Sequence, residues 1–512
     1  MVNLTFVDVA LVGCAVCLAI FSIRRPYSQS TRLLPPGPPS GWLGSVTLPK
    51  TFQWLTYAQW KAIYGDIIYL RVFGNPIMVI NSFEVAEELL EKRSSIYSSR
   101  PTRTMVVELM GWDWLFSSMP YGQRWRDHRM LFHQHFRPNV ISQYHPIILE
   151  ETHVILRNLL KRPDDFARHI RRTAAAIIMR ISYGHEISDQ GDIYVTLADE
   201  AMQGLAKAGI FGTFLVDYLP LLKYVPSFLP GASFKKEAAK WRKATRAMID
   251  RPFQMVKDCI GEGNAKPSFT SRELESWHQA GGNPAQETLI KNVAGISYAA
   301  GADTVGRFFK QSDRALTSEH AQTAQAQKAV DQVLGGKRLP TFNDKDDLTC
   351  VTNLVWEALR WNPVLPLGLA HYATEDDEYN GYWIPKGTSV LPNVWAILHD
   401  EVSYPDPMIF NPDRFLEANQ KKGANRSPQI AFGFGRRICP GRWMALDSVW
   451  LAIASILCVY DIQRVLDDNG QPVIPETAYT SALLSRPLPF QCRFVPRSEA
   501  AIKLIQDSNL AF

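Results

Sequence analysis

Cysteine is scarce and scattered. The 512 residues hold seven, Cys14, Cys17, Cys259, Cys350, Cys439, Cys458 and Cys492, and an odd, widely spaced set does not make a disulfide framework; it points to a reducing compartment. Neither sign of charge dominates: 55 Lys plus Arg against 50 Asp plus Glu leave a formal +5, too little for this length to argue for a nucleic-acid partner. Beyond residue 40 there is no internal repeat and no low-complexity linker, so one large body is expected, although length alone would allow about three domains. Long apolar runs are missing as well, apart from one at the amino end, which excludes a multi-span membrane protein. What is abundant is core-forming material: 46% hydrophobic and 11% aromatic residues against 21% charged exclude wholesale disorder.

The exceptional run covers residues 4–23, with Asp8 its single charge, and Arg24-Arg25 follows it. About twenty such residues can span a bilayer. No basic stretch precedes the run and no small-x-small site follows it, so a retained anchor is favoured over a cleaved signal peptide. Cationic flanks stay cytosolic, which places the remaining chain in the cytosol. Cys14 and Cys17 have CxxC spacing, but inside an apolar helix they read as small hydrophobes. The sequon Asn3-Leu4-Thr5 abuts the bilayer, out of reach of glycosylation. A polar and Pro-rich linker occupies 24–40, ending in Leu34-Pro35-Pro36-Gly37-Pro38-Pro39, a stiff extended strut; the body is expected from 41 to 512.

Within the body, DIIYLRVFGNPIMVINS alternates and breaks at Gly-Asn-Pro as a β-hairpin would. A helix follows from a Ser cap. Helical periodicity then dominates around 140–210, 233–262, 283–310 and 318–335, with strand signals near 369–392 and 480–495. The fold class is mainly α with a minor β portion.

The most specific segment is Phe432-Gly433-Phe434-Gly435-Arg436-Arg437-Ile438-Cys439-Pro440-Gly441. Its five fixed positions, Phe-x-x-Gly-x-Arg-x-Cys-x-Gly, would recur by chance on the order of once in ten thousand chains of this length. Gly433, Gly435 and Gly441 permit turns and close approach to a flat ligand. Pro440 opens the first turn of an apolar helix, so Cys439 sits at a helix N-terminus, where the dipole and nearby amides favour the metal-binding thiolate. Arg437 can pair with a ligand carboxylate.

This segment resembles the cysteine-ligand loop of the cytochrome P-450 family, heme-thiolate monooxygenases. The likeness runs from Leu34 to Phe494 and is nearest to fungal microsomal members of secondary metabolism. It implies the cytochrome P-450 fold behind one N-terminal transmembrane helix, heme b with Cys439 as axial iron ligand, and Phe432, Gly435 and Gly441 against the cofactor. Glu357 and Arg360, three apart on one helix face, would form a buried structural triad with Arg414 of Asn411-Pro412-Asp413-Arg414-Phe415. Trp125 and Arg129, four apart, would donate to one heme propionate, and His371 and Arg437 match propionate-contacting positions. His128, His133 and His135 read as packing or surface residues.

Ala300-Gly301-Ala302-Asp303-Thr304 resembles the family's oxygen-activating helix. The resemblance implies that Gly301 leaves space beside the metal, that the Thr304 hydroxyl bonds back to a carbonyl, and that Asp303 and Thr304 relay protons. From there the sequence departs. Relatives continue with an apolar run, whereas Val305-Gly306-Arg307-Phe308-Phe309-Lys310-Gln311-Ser312-Asp313-Arg314 is polar and charged, and the likeness resumes by Gln327. A helix here would bury charges or end early, both costly. The distal pocket, by resemblance Trp114 to Met119, Phe211, Phe214, Ala299 to Thr304, Leu365 to Leu369 and Ser481 to Leu484, is hydrophobic and suits a lipophilic small molecule such as a terpenoid or polyketide intermediate. With no dinucleotide or flavin fingerprint of its own, the chain would take NADPH electrons through an NADPH-cytochrome reductase, with cytochrome b5 as a further donor, on the endoplasmic reticulum membrane. Two other readings stay open: a non-catalytic heme-binding remnant, and a heme-thiolate isomerase or dehydratase.

Overall fold

Residues 32–509 are described in the computed structural model, except 42–43, 190, 211, 319, 417–418, 420–427 and 474–477 and the side chains of 311, 313–315, 318 and 320–321. The apolar run 4–23, its two cysteines, Arg24-Arg25 and Phe211 lie outside the described residues. Counting helices of nine residues or more, α1 (Gln53–Tyr64) leads into strands β1 (Ile67–Val72) and β2 (Asn75–Ile80). A helical body follows: α2 (Gln123–Phe136), α3 (His145–Lys161), α4 (Phe166–Tyr183), α5 (Ile193–Ala208), α6 (Ser233–Gly261), α7 (Phe269–Gln279), α8 (Pro284–Ser318), α9 (His320–Leu334) and α10 (Thr349–Trp361). The chain closes through short strands β3 (His371–Tyr372), β4 (Asp377–Tyr379), β5 (Tyr382–Ile384) and β6 (Ser389–Pro392), then α11 (Arg442–Val459), β7 (Tyr460–Arg464), β8 (Cys492–Pro496) and α12 (Glu499–Asp507).

Local chemistry sets several of these boundaries. Asp192 caps α5 by accepting the Tyr194 amide at 2.9 Å, and Ser268 with Ser271 forms a reciprocal capping box on α7. The Ser82 cap is present, but the helix it opens turns π-helical at Glu87–Lys92. The hairpin closes ahead of the expected Gly-Asn-Pro: Phe73 (φ 46°) and Gly74 (φ 80°) make a two-residue turn whose positive φ angles match the strand twist. Strand β7, where buried Tyr460 and Ile462 alternate with Asp461 and Gln463, pairs antiparallel with β8, Tyr460 opposite Pro496.

The main sheet runs β1-β2-β6-β3. Ile67 faces Ile80 across the antiparallel hairpin, β2 runs parallel to β6 with Ile77 at Ser389, and β3 brings His371 opposite Val390. The proline strut is docked on these strands: Tyr69 N–H donates to the Pro36 carbonyl at 2.8 Å and Trp383 N–H to that of Leu33 at 2.7 Å. The folded body therefore starts by Leu33, ahead of the boundary expected at 41.

At the centre lies α8, 35 residues long and so about 52 Å at 1.5 Å per residue. It packs on α4, where Ala174, Ala175 and Ala176 are buried and small enough for two backbones to approach. Gly301 takes part in this contact: a Cβ there would lie 2.8 Å from Ile178 Cγ1. Its missing side chain thus serves helix packing, while the residue also lines the central cavity. Past Thr304 the helix neither ends nor frays. Phe308 (3%) and Phe309 (1%) are buried, and Arg307 is buried with them at 9% exposure, so of the two costly outcomes the chain takes the burial of charge. Helix α11, long and apolar enough to cross a membrane, lies in the core.

Glu357, Arg360 and Arg414 do come together. Glu357 and Arg360 are fully buried and Arg414 is 6% exposed. Arg360 reaches the carboxylate through Nε at 2.7 Å and Nη2 at 2.9 Å, Arg414 through Nε at 3.1 Å, and the Asn411 amide at 2.7 Å. The remaining guanidinium N–H groups hold the carbonyls of Leu398, Pro405, Pro407 and Ile409, which pins the irregular segment leading toward the cysteine loop. Removing one partner of a buried pair costs about 3–5 kcal/mol, a large share of the roughly 5–15 kcal/mol that holds a domain folded. Glu357→Ala should therefore yield little soluble folded protein; a variant whose unfolding midpoint matches the parent's would show the triad to be dispensable.

Candidate active site

A cavity of about 380 Å3 opens between α8, the loop after α10, residues 115–118 and the loop ahead of α11. Its floor carries Phe432, Gly433, Phe434, Cys439, Pro440 and Gly441. The cysteine loop folds back on itself, with Cys439 N–H donating to the Phe432 carbonyl at 2.8 Å and Arg437 N–H to that of Phe434 at 3.1 Å. Arginines brace it from two sides: Arg129 Nη1 holds the Ile438 carbonyl at 2.7 Å and Arg442 Nη1 that of Cys439 at 2.9 Å. Helix α11 begins at Arg442 with Gly441 as its cap, so Pro440 precedes the helix and is not in its first turn.

Gly435 lies off the cavity. A Cβ on it would fall 2.3 Å from the Leu90 carbonyl oxygen, at φ +51°; the motif's glycine is there so that the loop can seat on the π-helical turn after β2, not to let a flat ligand approach. The thiol reading also needs correction. Burial is the largest influence on Cys439 and pushes its thiol up, outweighing the amides of Gly441 and Arg442 and the charges of Arg129 and Arg442 that pull it down. The helix start is thus opposed by burial, and a metal cation at the sulfur would favour the thiolate.

Beside the floor, three guanidinium groups converge. Arg100 donates to the carbonyls of Ser117 (3.0 Å), Leu369 (2.7 Å) and Ala370 (2.8 Å), and Arg437 to those of Ser98 (2.6 Å), Phe116 (3.2 Å) and Met119 (2.7 Å). Arg100 (7% exposed), Arg437 (8%) and Arg129 have no carboxylate partner among the described residues. Burial pulls them down to about 9, 8 and 10, Arg437 further by repulsion from Arg100 and Arg129. Guanidinium does not shed its proton in proteins, so the cluster holds its positive charge at the cost of burial, with no acid among the described residues to offset it. Trp125 lies under Arg437, 4.4 Å from guanidinium carbon to ring centroid. His371 lines the same end with Nδ1 2.9 Å from the Tyr97 carbonyl; burial, then Arg100, holds its imidazole well below its usual range and therefore neutral.

The opposite wall is α8, through Ala299, Ala300, Gly301, Thr304, Val305 and Phe308. Thr304 Oγ1 donates to the Ala300 carbonyl at 2.6 Å. Asp303 is not on this wall: its Oδ2 accepts from Arg307 Nε at 2.8 Å, and no Asp303–Thr304 relay is assembled. Of the expected lining, Leu115 to Ser118, Leu365 to Leu369 and Ser481 to Leu484 are present, while Trp114, Met119 and Phe214 stand back. His128 bonds the Arg124 carbonyl and Asn292, and His135 bonds Glu273. Sequence reasoning missed Arg100, Arg103, Trp112 and Met202. For Arg100 the local signal is only an Arg-Pro step; what marks it is its burial.

A thiol at the floor, apolar walls, and two buried arginines beside a half-buried third, none with an acid, fit a planar dianionic metal complex such as heme, whose two propionates would answer the arginines. A model of the cytochrome P450 family matches residues 35–494. Cytochrome P450 monooxygenase 98 of Postia placenta is 44% identical over 96% of this chain and 95% of its own length. Cytochrome P450 monooxygenase COX2 of Coprinopsis cinerea is 39% identical over 99% and 97%, and tryptamine 4-monooxygenase of Psilocybe cyanescens 36% over 98% and 99%.

The chain is a cytochrome P450. Membership makes it an oxygen-incorporating oxidoreductase built on heme-thiolate iron, served by a redox partner and acting on a lipophilic substrate. In this P450, Cys439 is the one cysteine lining the cavity among the described residues; Cys259, Cys350, Cys458 and Cys492 lie elsewhere. Cys439→Ala should abolish the thiolate-type Soret shift of the reduced carbon monoxide complex. An unchanged spectrum would move the ligand to another residue.

Proposed function

We propose a membrane-anchored monooxygenase that inserts one atom of dioxygen into a neutral lipophilic substrate, a terpenoid or polyketide intermediate of fungal secondary metabolism. Cys439 would bind the heme iron, and Arg100, Arg129, Arg437, Trp125 and His371 would hold the propionates. When bound, the heme supplies dioxygen activation at an iron whose thiolate ligand favours O–O cleavage. The chain's own residues do the rest. Arg100 and Arg437, fixed by backbone carbonyls, would orient the propionates. Apolar side chains from α8 and 364–369 exclude bulk water, and the Thr304 hydroxyl, bonded to the Ala300 carbonyl, is placed to pass protons into the cavity.

One observation carries the substrate reading: among the described residues lining the cavity there is no carboxylate, and its cations, Lys50, Arg100, Arg103, Arg129 and Arg437, all have other partners, cluster at the propionate end or sit near the mouth. A protonated amine such as tryptamine would need an acid to replace its hydration. That relative's substrate is therefore not carried over. Electrons come from NADPH through a membrane-bound reductase, with cytochrome b5 as a second donor. The stretch that raised the remnant reading folds as continuous helix with Arg307 paired, which supports an intact enzyme.

Residues 4–23 anchor the protein in the endoplasmic reticulum membrane with the body cytosolic. A second contact is offered by exposed Leu215 (53%), Leu221 (65%), Tyr224 (72%) and Phe228 (67%), held against the β1–β2 turn by the Phe73–Tyr218 ring contact at 6.3 Å. Such an apolar patch suits an interfacial membrane surface.

Product analysis in a microsomal host co-expressing a reductase tests the reaction: oxygenated terpenoid or polyketide products are expected, and turnover of amines alone would overturn the substrate class. Thr304→Ala in that system should keep heme but raise peroxide release at the expense of product; unchanged coupling would remove Thr304 from proton delivery. Deleting residues 1–25 should move most of the protein to the soluble fraction with heme retained. If it stays membrane-bound, the patch around 215–228, not the run 4–23, is the principal attachment.

A further inference from the structure

Asp303, Arg307 and Lys310, four and three residues apart, share one face of α8. That face meets α4, where the Cα of Arg171 lies 3.8 Å from where a Cβ on Gly306 would be. From the other side comes the segment 484–486, fixed by Arg307 Nη1 on the Leu484 carbonyl at 3.2 Å. Four cations, Arg171, Arg307, Lys310 and Arg486, thus gather where Asp303 projects, close enough to perturb one another's charge. Arg171 contacts Asp199. Arg307 has Asp303, with both side chains 10% exposed. Lys310 has no acid of its own among the described residues, and burial, reinforced by Arg171, Arg486 and Arg307, pushes its amine down to about 8.

We infer that Asp303 in this chain is the counter-ion of this basic cluster, a positioning residue that holds Arg307 and the 484–486 segment, and not the group that passes protons to the cavity. The geometry gives three reasons. Asp303 is absent from the cavity wall, and turning it there would strip a buried guanidinium of its acid. A guanidinium keeps its charge in proteins. Breaking a buried pair is costlier than removing both partners. The polar stretch after Thr304 then ceases to be an anomaly: Arg307 and Asp303 belong together, and proton delivery falls to Thr304 and cavity water. The part about Thr304 rests on the monooxygenase reading above; the charge pairing stands without it.

Three variants decide it: Asp303→Asn, Arg307→Gln and the two combined. Urea unfolding and heme retention are followed for each, together with NADPH consumption per heme with a reductase and no added substrate. Asp303→Asn should lower the unfolding midpoint, and Arg307→Gln in the same chain should recover at least half of the loss, because the neutral pair leaves no unmatched charge. The recovered double variant should consume NADPH within threefold of the parent. No recovery in the double variant overturns the counter-ion role. A recovered fold with more than a threefold drop in NADPH consumption returns Asp303 to the proton path. A parent without the thiolate-type carbon monoxide spectrum would sink the heme reading instead, while the midpoints would still decide the pairing.

Discussion

Three guanidinium groups with no acid to share organise the centre of this molecule. Fixed charge in an apolar interior needs acceptors for its donors, and buried Arg100 and Arg437, with half-buried Arg129 beside them, find theirs on the main chain. Their carbonyl partners, at Ser98, Phe116, Ser117, Met119, Leu369, Ala370 and Ile438, come from three stretches of chain remote from one another in sequence. The cationic knot therefore ties the segment before α2, the approach to β3 and the cysteine loop into one frame. It does so without cancelling its own charge. A dianion placed there both binds and stabilises, so cofactor binding and folding are linked through the same three side chains.

The second buried charge cluster shows what a closed arrangement looks like. Around Glu357 one carboxylate takes three guanidinium N–H bonds and a backbone amide, and the leftover donors of Arg360 and Arg414 are spent on carbonyls. Nothing there asks for a ligand, and none could enter. Both clusters are rich in arginine and largely buried, yet one contains its acid and the other does not. That single difference separates a structural brace from a binding site, and it is visible only when every donor is followed to its acceptor.

The same accounting explains what could be read from the sequence. The cysteine loop, the Glu357–Arg360 spacing and the central helix were legible because each is a short pattern whose chemistry is local. The reasons given for particular residues were less secure, since a motif records what is required and not why. Gly435 answers to Leu90 and Gly301 to Ile178, both remote in sequence, so neither contact could be inferred from the loop or helix that contains it. Arg100 escaped notice altogether, its importance being a matter of burial without an acid. Cys439 was expected to ionise by virtue of the helix start, but the cost of burial depends on how much protein surrounds the sulfur, which no local pattern reports.

The stretch after Thr304 was misjudged for a different reason, one of counting. Read as ten consecutive residues, 305–314 is too polar for a core helix. Read at 3.6 residues per turn, Val305, Phe308, Phe309, Ser312 and Leu316 recur at spacings of three, one, three and four, and all five are buried. The charged residues Asp303, Arg307 and Lys310 fall on another face, where Arg171 and the 484–486 segment receive them. Apolar continuity is therefore kept on the side that packs, and charge is confined to a side where it can be matched. What the helix requires is not a low charge density but a phase, and the phase is intact.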